Sequence, residues 1–363
     1  MCRRREWPVS VPDQSWPESL PPQTESALDA TVGHWLPPES LALYARWWQL
    51  ETWLRQLAYV ELRARDGRQW DRAVRAASGR QSQDAQFSHM TSTDTENPLA
   101  YLDYSQLQDL IEKNWSQFAP ALIRQPSWTA RQEELARIRH RIGHMRRPHE
   151  DDLNRIEQTL RDLERGAFIA CASYNKRITP SVDKHNDAVT AGWLRQQHPA
   201  ARLIDHASSQ YDTRLALTVS RRPWAQRPGN LANAPGILWH AGFFMRDRTV
   251  DVSDFWHASS FAAARSLVVH LVAEHSSHIS LTFAAADDDQ AIADAIGDAL
   301  EAFLSVSRHG YLEENEEQRW RRRALRTDYR VIHATGWNIV DETTIPISSF
   351  GAGAGVTAAI GWL

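Results

Sequence analysis

The chain has 363 residues, of which 42% are hydrophobic and 24% charged, with a formal net charge of −4. That length exceeds the roughly 100–200 residues of a usual domain, so two domains are expected. The acidic balance excludes a bulk basic nucleic-acid binder but leaves room for local basic patches that hold phosphate.

Two cysteines, Cys2 and Cys171, are too few for a disulfide framework or a zinc site. Their scarcity fits a reducing compartment, and a cytoplasmic location is expected. The opening Met-Cys-Arg-Arg-Arg-Glu-Trp-Pro has no apolar stretch after its arginines, so it is not read as a secretory signal. No apolar run reaches the roughly 18 residues of a membrane span, and no membrane partner is expected.

Residues 1–37 are punctuated by Pro8, Pro12, Pro17, Pro21 and Pro22 and keep no period. They read as an extended arm, packed on the body through Trp7 and Trp16. A long helix is expected from Pro38, with Trp47, Leu50, Leu54 and Leu57 on one buried stripe. Gly67 stops it, and Trp70 packs back against its end. Residues 78–97 are almost wholly polar and read as a loop.

The pair Ser105 and Gln108 has capping-box spacing and predicts a second helix, with Leu107, Leu110, Ile111, Trp115 and Phe118 inward until Pro120. A third is expected from about Arg131, with Leu135, Ile138, Ile142 and Met145 on one face. Pro148 ends that pattern, and Glu150, Asp151 and Asp152 favour the positive end of a fourth helix dipole. Leu153, Ile156, Leu160 and Leu163 form the stripe of that helix. Residues 38–166 therefore read as an all-α bundle of about four helices.

After Gly166 the pattern changes, and 167–212 reads as a helical connector. In 213–363, strands are expected at Thr213–Val219, Gly236–Met245 and Ile279–Ala285, and helices at about Ser260–Glu274 and Gln290–Val306. This is an α+β domain with a small sheet. The tail from Gly351 is Gly/Ala-rich and too short for a membrane span.

The chemistry concentrates in Ala136–Leu153. Between Arg131 and His149, the arginines Arg131, Arg137, Arg139, Arg141, Arg146 and Arg147 stand with His140, His144 and His149, against Glu133 and Glu134. RNA cleavage needs a base for the 2′-hydroxyl, an acid for the leaving 5′-oxygen and cations for the phosphorane oxygens. Histidine supplies the first two near neutral pH, and arginine grips phosphate oxygens. No clustered carboxylates for two metal ions lie nearby, so metal-free chemistry with no cofactor is expected. On an ideal helix, five residues at about 100° each set Arg139 and His144 about 140° apart. Either the helix opens near Gly143 and Pro148, or a second subunit completes the site, and both are expected together.

Arg139-His140-Arg141-Ile142-Gly143-His144 resembles the R-polar-x3-H signature of the HEPN superfamily, helical and often dimeric ribonucleases. The helix with Trp47, Glu51, Leu54 and Arg55, then Tyr104–Phe118, and the acidic start at Asp151–Leu153 resemble its neighbouring elements, over residues 38–166. The resemblance implies Arg139 and His144 as catalytic residues, with His140 at a position commonly held by asparagine. Arg137, Arg141, Arg146 and Arg147 then support RNA. It also implies a homodimer through the helical part, and a toxin or antiphage-defence setting with an antitoxin or defence-system partner. Toxins of this family that are silenced by nucleotidylation carry a tyrosine two positions after the histidine, where this chain has Arg146.

Two other readings stand beside it. One is a HEPN-like dimerisation or binding subunit of a larger defence or RNA-processing complex, without catalysis; the other places an active site in the C-terminal domain. There, His270, Glu274 and His278, beside His275, have a one-faced helical spacing that invites a zinc reading, against an ordinary polar helix face. Asp287, Asp288 and Asp289 invite a metal site but fit a helix start better. Arg319–Arg323 and Arg326 read as a salt-bridged helix with Glu317 facing Arg321, or as further RNA contact. Arg221, Arg222 and Trp224 have the makings of a base clamp, although packing suits Trp224 better.

Overall fold

The computed structural model describes residues 36–86 and 96–333, with Gln23, Thr24, Ser26, Ala27, Ala30 and Thr31. Trp7, Trp16, Cys2 and the tail from Gly351 lie outside the described residues.

Helix α1, Pro38–Asp66, begins with proline in its first turn, where a missing N–H costs nothing. Trp47, Leu50, Leu54 and Leu57 are buried as their spacing predicts, and Trp70 returns to stand edge-on to Tyr59 at 5.0 Å. Gly67 ends the helix with φ +56°, and a Cβ there would lie 2.3 Å from Asp287 Oδ1. The chain then forms 3₁₀ turns over Gly67–Ala77 and a short helix Ser78–Asp84, inside the stretch expected to be a loop.

Helix α2 runs Tyr104–Lys113, and its capping box is Asp103 with Gln106, not Ser105 with Gln108. Ser105 Oγ instead donates to the Asp103 carboxylate at 2.7 Å. The helix breaks at Asn114, whose side chain takes the Leu110 carbonyl at 2.7 Å, and a single turn follows at Trp115–Phe118. Helix α3, Gln125–Gly143, starts before the expected Arg131, with Pro126 in its first turn. Helix α4, Asp152–Asn175, passes through Gly166 instead of ending there. A Cβ on Gly166 would sit 2.0 Å from the Ala121 carbonyl oxygen, so this glycine marks a close crossing and not a terminus. Helix α1 packs against α2, α3 and α4.

A π-helical turn, Thr190–Leu194, and helix α5, Ala201–Tyr211, lead to the sheet. The strands are β1 Thr213–Arg221, β2 Ile237–Met245, β3 Arg248–Thr249, β4 Val268–His275, β5 His278–Ala284, β6 Arg308–His309 and β7 Val331–His333. The main sheet has the order β1-β2-β5-β4-β7, antiparallel except for the parallel pair β4 and β7. Helices α6 (Val252–His257), α7 (Asp289–Val306) and α8 (Glu314–Ala324) complete the fold. The expected helix over Ser260–Glu274 is not formed. Val268, Val269, Leu271, Val272 and Ala273 are all buried in β4, an inner strand covered on both faces, where a continuous apolar run replaces alternation.

One face of the sheet, with Leu217, Val219, Trp239, Phe243, Leu281 and Phe283, packs against α7 and its neighbours as an apolar core. The other face meets the N-terminal helices through Leu238, Val269 and Ala284, and it is largely polar. His240, Thr282 and His270 lie in one cross-strand row. Ser220 Oγ contacts His240 Nε2 at 2.7 Å, and His240 Nδ1 contacts Thr282 Oγ1 at 3.0 Å. Tyr174 of α4 then bridges Thr282 at 2.8 Å and His270 Nδ1 at 3.0 Å.

Beside this row, Arg222 forms a buried ion pair with Glu61 of α1, and Trp224 Nε1 donates to the same carboxylate at 2.6 Å. Arg222 is therefore no base clamp, because its guanidinium is enclosed. Other expected sites also have structural duties. Asp288 caps α7 by accepting the Ala291 N–H, Asp287 accepts the Arg68 N–H at 2.7 Å, and Asp289 accepts the Ala188 N–H at 2.7 Å. Glu317 turns inward to accept the Ser276 N–H at 2.8 Å instead of pairing with Arg321.

Removing one partner of a buried pair leaves an uncompensated charge. Glu61→Ala should cost about 3–5 kcal/mol of stability, measured by chemical denaturation. A cost below about 1 kcal/mol would show that the pair does not tie α1 to the sheet.

Candidate functional site

The predicted cluster occupies the end of α3 and the turn into α4. The helix stays regular through Gly143 and does not open there. His144 is its C-cap, its N–H still directed to the His140 carbonyl at 3.2 Å. Met145 takes the left-handed conformation, φ 52°, a position usually given to glycine. Its N–H donates to the Ile142 carbonyl at 3.1 Å, and the Arg146 N–H to the Arg141 carbonyl at 2.9 Å. This pair of bonds closes the helix in a Schellman turn and leaves Met145 92% exposed, not on the core face its spacing suggested.

Because the helix does not open, His144 remains on the helical track and lies against His140, ring centroids 4.3 Å apart. Arg139 projects from another side. The structure thus brings His140 and His144 together but does not bring Arg139 to His144 within one chain. Arg141 is held by a bidentate contact to Asp152, which also accepts the His149 N–H at 3.0 Å. Arg137, Arg139, Arg146 and Arg147 are exposed, and among the described residues none has a carboxylate within ion-pairing distance. Partial desolvation, then the positive charges of His144, Arg146 and Arg139, hold His140 below the usual histidine value.

Arg139 enters a second feature that its sequence context did not announce. A cleft of about 430 Å³ lies between α1, the end of α3 and the sheet edge, and Arg139, Ile142 and Gly143 form its α3 side. Tyr44, Trp48, Glu51, Arg55 and Tyr59 line it from α1, and His270 and Tyr329 from the sheet side. Glu51 and Arg55 form an ion pair, Arg55 also donates to the Leu102 carbonyl at 2.9 Å, and Trp47 Nε1 donates to Glu51 at 2.7 Å. Burial, then the charges of Arg63 and Arg222, push His270 down to about 3, so it is neutral.

Of the cleft residues, the sequence reading named Trp47, Glu51, Arg55, Arg139, Ile142, Gly143 and His270, but it did not join them into one site. It missed Tyr44, Trp48 and Tyr59. Their signal was a second α1 stripe, Tyr44, Trp48, Glu51, Arg55 and Tyr59, at helical spacing beside the core stripe.

The histidines and acids suggested as metal ligands are dispersed. His270 faces the N-terminal helices, Glu274 contacts His278 Nδ1 at 3.1 Å, and His275 approaches Glu317 at 3.7 Å. Among the described residues no group of three or more His, Cys, Asp or Glu side chains is arranged to hold a metal ion. No helix among them is long and apolar enough to cross a membrane.

Burial alone would raise the Asp152 carboxyl, but hydrogen bonds from Arg141 and His149 and their positive charges outweigh it, leaving the value lowered. A lowered folded-state value stabilises above the unfolded value near about 4 and is lost as pH falls through the folded value. Asp152→Asn should therefore cost about 1.5–3 kcal/mol at pH 7, with the gap to the parent protein closing as acid is added below about pH 4. A gap that stays constant to pH 2 would refute the assignment.

Compared with known proteins, the chain matches no family model, no curated protein and no solved structure.

Proposed function

We propose that this chain is a HEPN-type, metal-independent endoribonuclease whose composite site uses Arg139 and His144 from two copies. The observation that carries the reading is the α3 end, where four exposed arginines without carboxylate partners surround two touching imidazoles. Unpaired cations at a helix C-terminus also match the negative end of its dipole, which makes holding them there favourable. In such a site a histidine takes the 2′-hydroxyl proton, the 2′-oxygen attacks phosphorus, and the P–O5′ bond breaks. A second imidazolium protonates the 5′-oxygen, leaving a 2′,3′-cyclic phosphate and a 5′-hydroxyl. Arginines hold the phosphorane oxygens. Arg139 and His144 point apart on one chain, so a second copy supplies the missing partner. The resemblance behind this reading places the activity in toxin or antiphage defence, with RNA as substrate and an antitoxin or defence-system protein as a further partner.

The purified protein should cut single-stranded RNA in EDTA and leave cyclic-phosphate ends; complete dependence on added magnesium or manganese would overturn the mechanism. His144→Ala should lower the cleavage rate by at least about 10²-fold and relieve growth arrest on expression. A folded His144→Ala protein with undiminished toxicity and no measurable nuclease would point to the binding-subunit reading.

Mixing Arg139→Ala with His144→Ala protein should restore part of the activity, since one site of the mixed dimer keeps a sufficient set. Sedimentation showing a monomer that still cuts RNA would exclude the shared site.

A further inference from the structure

The seam between the N-terminal helices and the sheet is built around two enclosed imidazoles. His240 of β2 and His270 of β4 are 1% and 3% exposed. Ser220, Thr282 and Tyr174 hydrogen-bond them, and Tyr59 of α1 lies near His270 with ring centroids 5.5 Å apart. The layers on either side have separate apolar cores, one among the helices and one between the sheet and α7. Leu238, Val269 and Ala284 of the sheet join the helical core, and polar contacts hold much of the rest of the seam. Tyr59 donates to the Val269 carbonyl at 2.9 Å, Arg63 to the Leu267 carbonyl at 2.8 Å, and Arg222 to the Ala170 carbonyl at 3.2 Å.

The charges around the two rings are arranged against a further cation. Arg177 of α4 and Arg222 act on His240, and Arg63 of α1 and Arg222 act on His270. The neighbouring acids are already engaged: Glu61 with Arg222, Asp287 with Arg63 at 3.9 Å, and Glu274 with Arg177 at 4.0 Å. Beyond Tyr59, Asp328 is paired with Arg330 at 2.8 Å. Among the described residues no carboxylate lies within ion-pairing distance of either imidazole. Burial pushes the phenols of Tyr59 and Tyr174 up, so they stay neutral. An imidazolium in this seam would be enclosed beside like charges without a counterion, which costs far more than the same proton taken up in water.

We propose that mild acid parts the sheet from α1 and α4 by protonating His240 and His270, while each layer keeps its own core. Burial, then Arg177, His270 and Arg222, hold His240 well below the ordinary histidine value, and burial, then Arg63 and Arg222, bring His270 to about 3. Both closed-state values lie below the open-state value near about 6.5, so the open form binds more protons. The advantage of the closed form is therefore complete above about pH 6.5 and is lost progressively as pH falls below it. Asp287 works the other way, because burial raises it in the closed form and its own titration favours closure. Above about pH 5 ordinary carboxylates are ionised and the histidines dominate. Opening would separate the α1 and α3 walls of the cleft from its wall at His270 and Tyr329.

The Gly236 N–H donates across the seam to the Ala64 carbonyl at 2.7 Å, so its hydrogen exchange follows the opening directly. In the full chain, with rates corrected for the intrinsic pH dependence of exchange, the opening constant at Gly236 should rise about 60-fold from pH 6 to pH 5, about eightfold for each histidine. Amides in the middle of α1 and α7 should keep their protection. A Gly236 opening constant that does not change with pH overturns the proton trigger, and equal loss of protection at all three places overturns the parting of intact layers. His240→Gln and His270→Gln each remove one titrating ring and should bring the rise down to about eightfold; a folded variant that keeps the full rise overturns the role of that ring. Ring-proton NMR of the parent protein needs no variant. It should show both imidazoles still neutral in the closed form at pH 5, and titration of both near pH 6.5 without opening refutes the proposal.

Discussion

A polar sheet face buried against helices is the constraint from which the rest of this structure follows. Buried hydroxyls and imidazoles cost free energy unless each finds a partner. The row from Ser220 through His240 and Thr282 to Tyr174 and His270 supplies those partners across β1, β2, β5, β4 and α4. A one-residue slip of any strand would turn its polar residue to the apolar face against α7, so the row fixes register as well as satisfying its own groups. Tyr174 pins α4 to that register. Glu61 and Arg222 pin α1 beside it, with no freedom to slide while both charges stay enclosed.

Those two pins set the distance between α1 and the sheet edge, and the cleft is the space left over. Helix α1 is therefore used on several sides. Leu50, Leu54 and Leu57 make the helical core, Glu61 and Arg63 reach the sheet region, and Tyr44, Trp48 and Tyr59 face the cleft. Such a helix carries apolar residues around much of its circumference, which blurs a single-stripe pattern. The end of α3 is fixed independently, by the Schellman turn at Met145 and the clasp between Arg141 and Asp152. Arg141 is consumed in shaping the turn and Arg131, further back on α3, pairs with Asp162 of α4 at 2.9 Å, whereas Arg137, Arg139, Arg146 and Arg147 stay exposed.

Local signals did determine much of this protein. The stripes of α1 and α4, the stop at Gly67, the packing of Trp70, strands β1, β2 and β5 and helix α7 are all readable in the chain, because each rests on spacing or on one residue's backbone preference. The Arg/His cluster is also evident in the sequence, since charge density requires no fold to be seen. Tertiary structure decided what needed partners distant in the chain. Strand β4 looked helical because an inner strand covered on both faces loses its alternation. Gly166 looked like a terminus because only the crossing of Ala121 explains it. Arg222 looked like a surface clamp until Glu61, 161 positions away, enclosed it. Whether Arg139 meets His144 turned on a helix end closed by hydrogen bonds, and the cleft on segments brought together from α1, α3 and the sheet edge. A sequence lists the groups and their local periods, but the positions of groups that must satisfy one another across the fold are set only when the chain closes on itself.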